Sequence, residues 1–169
     1  MKQPVKILAL TLALAAWVHG EERVYKQPSD FIKGAFGGKI PSTSILSLSG
    51  DVKSRAKGIM AHNYPESRVR YWKQGSRSVW ILEEIGKTQP ITTGFLVENG
   101  RIKSVEILIY RESHGWEVSK PFFTKQFSNA SLKSGDRLSA EVKNVAGATL
   151  SVRAVTKLAR LALYFDSIV

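Results

Sequence analysis

Cysteine is absent from the 169-residue chain. That excludes iron–sulfur clusters, thiolate zinc sites and haem attachment through Cys-x-x-Cys-His. It also excludes a lipoprotein anchor. A redox centre in this protein must be organic or borrowed. Histidine is scarce: beyond residue 20 only His62 and His114 occur, without the accompanying carboxylate pattern of a zinc site. No serine stands in a nucleophile-elbow motif, and no internal repeat or low-complexity segment is present. Acidic residues are few, 14 against 25 Lys and Arg. The basic side chains are scattered through the chain rather than gathered in one run, so nucleic acid is not expected as a partner. A cationic surface of this kind favours acidic proteins or anionic lipid headgroups.

The chain also lacks an apolar run long enough to span a bilayer comfortably. The longest, Ile7–Val18, has twelve residues, whereas a span needs about 20. Lys2 and Lys6 precede it and Val18-His19-Gly20 follows, the three-part pattern of a secretory signal. Residues 1–20 are therefore expected to be a signal peptide, and the protein to work in the periplasm or another extracytoplasmic space. An uncleaved N-terminal anchor, which would leave the protein membrane-associated, is the alternative.

What remains has ordinary globular composition, 43% hydrophobic and 23% charged, in a length that suits one core. Pro28-Ser29-Asp30 predicts a helix start with Ser29 or Asp30 as N-cap. Residues 35–49, rich in Gly and Ser, predict a loop, and Val52–His62 a short helix. From Arg68 the pattern turns to strands: Val69–Lys73, Ser78–Ile85, Ile91–Val97 and Ile102–Tyr110. Asn99-Gly100 between the last two is a strong hairpin signal. Pro121–Phe127 predicts one or two helical turns, and Leu138–Val142 a last short strand. Leu150, Val152, Val155, Leu158, Ala159, Ala162 and Leu163 recur at helical spacing, predicting a long amphipathic helix over 150–166. The expected class is α+β: a mainly antiparallel sheet with helices packed on one face. Residues 21–87 are expected to form an N-terminal extension packed on a domain of residues 88–169.

The stretch Ala146-Gly147-Ala148-Thr149-Leu150-Ser151 leads into that last helix. Its small residues allow close approach of another molecule to the backbone. Thr149 and Ser151 place hydroxyls where helix N–H groups lack partners, a favourable place for phosphate. On these residues alone, an ordinary N-cap by Thr149 is the simpler account, since Ser and Thr are common caps.

Gly147-Ala148-Thr149 with Leu150-Ser151 nevertheless resembles the attachment motif of the FMN-binding domain family. That family includes the flavin subunits of sodium-pumping NADH:quinone reductase and related electron-transport complexes. Further segments match in order: Gly94–Val97 and Asn99–Ile102 resemble the family's hairpin, Arg111–Val118 its Glu-Thr-x-Gly loop, and Phe123–Phe127 its Phe-x-x-Gln-Phe segment. The resemblance runs from Pro90 to about Leu163. It implies FMN as cofactor, held as a phosphoester on Thr149 and installed from FAD by a flavin transferase outside the cytoplasm. It implies that Gly147 and Ala148 leave room for the ribityl phosphate, with Ser151 beside it. Glu112, Ser113 and Gly115 would form the opposing loop, and Trp116 would cover the flavin ring or serve as a core aromatic. Two positions depart from the family pattern: Lys143 stands where an acid is usual and Ala146 where Ser or Thr is usual. They put covalent attachment in question.

The implied function is an extracytoplasmic flavin electron carrier with a membrane or periplasmic redox partner, more an electron-transfer module than a complete enzyme. The alternatives are a non-covalent FMN-binding or sensory domain without redox turnover, and a basic protein that binds an anionic surface.

Overall fold

A computed structural model describes residues 22–169. The expected signal segment lies outside the described residues. Six strands form one antiparallel sheet in the order β1-β6-β5-β4-β3-β2. They are β1 (Arg23–Val24), β2 (Thr43–Ser47), β3 (Arg68–Gln74), β4 (Arg77–Ile85), β5 (Pro90–Glu98) and β6 (Arg101–Tyr110). Helices α1 (Pro28–Ala35), α2 (Gly50–Met60), α3 (Pro121–Thr124) and α4 (Thr149–Asp166) surround it. A small hairpin of β7 (Leu132–Lys133) and β8 (Arg137–Leu138) completes the fold. The α+β class stands, with the long C-terminal helix where the apolar spacing put it.

The sheet is covered on both faces, not one. Trp80 and Leu82 of β4, with Phe95 and Val97 of β5, join Val155, Leu158, Ala162 and Phe165 of α4 in the main core. The alternate residues Val79 and Ile81 face the other way, against Phe31, Ile32, Ala35 and Phe36 of the α1 region. In their middles the two central strands carry short unbroken apolar runs, Val79–Leu82 and Phe95–Val97, which hide their two-sidedness from an alternation test. Gly94 makes the second layer possible. A Cβ there would stand 2.7 Å from the Phe31 ring, so this ring lies directly on the strand backbone.

Three local expectations need correction. Helix α1 is capped by Gln27, with Pro28 in the first helical turn, instead of by Ser29 or Asp30. Proline's fixed φ and missing N–H suit that place. Residues 43–47, expected within a loop, form the edge strand β2, paired along its length with Arg68–Trp72. Its Ser and Thr content suits an edge that is half solvated. The last strand is only Arg137–Leu138, closed on Leu132–Lys133 by a tight turn. Beyond Ser139 the chain leaves the pairing and runs to the start of α4.

That start is fixed from both ends. At the far end, Ser78 donates to Asp166 at 2.6 Å while accepting from the Trp80 indole at 2.8 Å. At the near end, Ser151 is buried and bonded to Tyr110 at the end of β6. The helix thus presents its N-terminus to the loop that follows β6.

Candidate functional site

Thr149 is the first residue of α4 and is half-buried; it is not the helix cap. The N-cap position is Ala148, whose side chain offers nothing to the helix. The first bond of the helix runs from the Val152 N–H to the Ala148 carbonyl at 2.9 Å. No side chain caps the N–H groups ahead of it, and no acid lies in the first turn. Those N–H groups and the helix dipole favour an anion there. The Thr149 hydroxyl is engaged elsewhere: its oxygen accepts from the Asn144 amide at 2.9 Å. The plain N-cap account of Thr149 therefore fails on geometry.

A cleft of about 440 Å³ opens at this point, lined by Lys87, Glu112, Ser113, His114 and the run Gly147–Ser151. It brings together Gly147, Ala148, Thr149 and Ser151 with Glu112 and Ser113. Gly115 lies behind it. Its φ of 86° and its packing leave no place for a side chain: a Cβ would stand 2.8 Å from the Tyr110 hydroxyl and 3.1 Å from Ser151 Oγ. Close contact between the loop and the helix start therefore requires glycine here. Trp116 stands on a 3-10 turn, Trp116–Ser119, and does not line the cleft. Its ring is partly exposed and lies under the Lys120 ammonium, 5.0 Å from the centroid.

Glu112 and Ser151 hold the cleft's shape. Glu112 is 5% exposed. One carboxylate oxygen accepts the backbone N–H groups of Lys87, Thr88 (2.7 Å) and Gln89 (3.0 Å), and the other accepts the Thr88 hydroxyl (3.0 Å). Burial pushes this carboxyl's pKa up, but the three backbone donors and the Thr88 hydroxyl outweigh that and hold it below the usual range. Glu112 thus folds the 86–89 turn against the cleft, and this puts Lys87 on its wall. The Tyr110 hydroxyl donates to the His114 carbonyl at 2.6 Å, so at its 2.9 Å contact with Ser151 the serine donates. Burial raises the Tyr110 hydroxyl's pKa to about 12, which keeps it a neutral donor.

Lys87, His114 and Asn144 escaped the sequence reading. Lys87 reaches the cleft only because Glu112 captures its turn. His114 sits inside the matched loop, between Ser113 and Gly115, and its lack of a zinc-type partner set gives no sign of a place in the cleft. Asn144 lies five residues before Thr149, and a short polar side chain so close to a helix start was its available signal.

Residues 86–164 match the family model described as FMN-binding domain. This segment is an FMN-binding domain. Searches of curated proteins and of solved structures find no match to the chain. The FMN-binding domain begins on the turn held by Glu112, runs through β5 and β6, and ends within the last turn of α4. Strands β1 to β4 extend the same sheet from outside it. The cleft suits the cofactor chemically: an uncapped helix N-terminus and the Lys87 ammonium for phosphate, with small residues around the hydroxyl.

Proposed function

We propose that the protein is an extracytoplasmic flavin carrier with FMN joined as a phosphoester to Thr149. The observation that carries this is the state of Thr149. It opens an uncapped helix, lines the cleft, and has its hydroxyl held by Asn144 rather than spent on the helix. In the forming reaction, the Thr149 oxygen would attack the FMN phosphorus of FAD. The pyrophosphate bond breaks, AMP leaves, and the hydroxyl proton passes to a base of the transferase. The open N–H groups of α4 and Lys87 would hold the phosphate oxygens. Bound flavin supplies one- and two-electron chemistry, while the protein supplies attachment and orientation. Export, a flavin transferase and a membrane or periplasmic redox partner belong to the same proposal.

A second reading is a non-covalent FMN-binding or sensory domain. Lys143 and Ala146 favour it. Both are exposed on the approach to α4, where a transferase would have to read the chain.

Intact mass and visible spectra, taken after co-expression with a flavin transferase in an exporting host, separate the two. The covalent reading expects a gain of about 438 Da, one FMN less water. It also expects flavin absorbance that survives denaturation and is lost in Thr149→Val. Colour released on denaturation would establish the non-covalent reading. A colourless, unmodified protein would overturn the flavin carrier and leave a binding or sensory domain.

A further inference from the structure

A second groove opens on the other side of Thr149. It measures about 690 Å³ and runs along the outer face of α4. Its floor is apolar, from Leu138, Ala140, Val142 and Val152, and its rim carries Arg137, Arg153, Lys157 and Arg160. No carboxylate lines it. The nearest acids are engaged or turned away. Asp136 is held by Arg55 at 2.7 Å, Glu84 by His62 and Lys157, and Glu141 is exposed outside the lining. Arg160 is steadied through its Nε on the Asp136 carbonyl. Arg137 and Arg153 make no ion pair among the described residues.

We propose that this groove docks an acidic, extended segment of a partner protein, and that it does so beside the flavin attachment point. The argument is one of charge and shape. Arg153, Lys157 and Arg160 fall along one stripe of the helix, spread over about 10 Å at the α-helical rise. Three to four extended residues cover that distance. Carboxylates of such a segment reach the rim while an apolar side chain meets the floor. Arg137 and Arg153, unpaired among the described residues, attract and orient a partner of opposite sign, while Lys157 is shared with Glu84 and Arg160 with the Asp136 carbonyl. Docking needs no flavin. Its role in delivering electrons at Thr149 rests on the function proposed above.

Binding of a short fluorescent oligoglutamate peptide to the flavin-free protein tests the groove, by anisotropy at low and physiological salt. The probe variant is Arg137→Glu with Arg153→Glu. The control is Lys33→Glu with Lys39→Glu, which makes the same change of net charge on exposed residues far from the groove in sequence. We expect affinity to fall about tenfold in the probe variant and less than twofold in the control. Unchanged thermal unfolding would certify both folds. Equal losses in the two variants, or no binding to the parent protein, would overturn the proposal. So would glutarate competing as well as the peptide does, since that would mark a small-anion site. Because the flavin is absent, failure here leaves the Thr149 reading untouched, and failure of flavinylation leaves this result standing.

Discussion

Asn144 and Glu112 act on the site in different ways, and substitution distinguishes them. The Asn144 amide fixes the rotamer of the Thr149 hydroxyl and leaves its proton free to depart. In Asn144→Ala that constraint is gone while the cleft stays intact. On the covalent attachment proposed above, initial rates of flavinylation by a transferase should fall several-fold through kcat, with KM for the protein substrate little changed and with stability within about 0.5 kcal/mol of the parent. Glu112 holds the 86–89 turn with charge-assisted bonds, which are worth about 1.5–3 kcal/mol each where neutral ones are worth about 1. Glu112→Gln should therefore cost about 2 kcal/mol in urea unfolding. The pH dependence carries the sign. A carboxyl whose folded pKa is depressed contributes stability above its unfolded value, near 4.3, and loses it as pH falls through the folded value. The parent's unfolding midpoint should thus drop more steeply below about pH 4 than that of Glu112→Gln.

At the scale of elements, α1 and β5 depend on Gly94. Any side chain there meets the Phe31 ring and must either displace α1 or bend the strand. Gly94→Val should destabilise by about 1–3 kcal/mol, the usual cost of overpacking, and should expose Phe31. Amide exchange at α1 would speed up before that at α4. Phe31→Ala in the same chain would recover part of the loss by emptying the space. This contact also shows where the sequence was legible. The β5–β6 hairpin, marked by Asn99-Gly100, and helix α4, with its long apolar period, declare themselves because local chemistry and tertiary fate agree. The second helical layer did not, since a glycine within a buried strand reads as a weak position until the ring lying on it is known. Edge strand β2 was hidden for a related reason: its Ser and Thr residues fit a loop as well as a solvated edge. Within the site, Gly147, Thr149 and Ser151 were legible from small residues before a helix. Lys87 and Asn144 were not, because their places depend on a captured turn and on the path of an irregular segment.

Across the whole molecule, one buried carboxylate ties α2 and α4 to the sheet. Glu84 of β4 is 8% exposed and receives His62, just beyond α2, at 2.8 Å and Lys157 of α4 at 3.5 Å. The His62 ring faces acceptors on both sides, with the Asn63 carbonyl 2.9 Å from Nδ1. Both nitrogens are thus satisfied only in the imidazolium. The bond to Glu84 raises the His62 pKa first, the Asn63 carbonyl adds to it, and desolvation and the Lys157 charge oppose it. A histidine whose folded pKa is raised stabilises fully below its unfolded value, near 6.5, and that contribution fades as pH rises through the folded value. The unfolding midpoint should therefore decline from pH 6 upward. His62→Gln, which still donates one bond to Glu84, should start from a lower midpoint at pH 6 and show a flatter profile over the same range. An equal slope in both proteins would place the titration elsewhere and leave the link between α2 and β4 to packing alone.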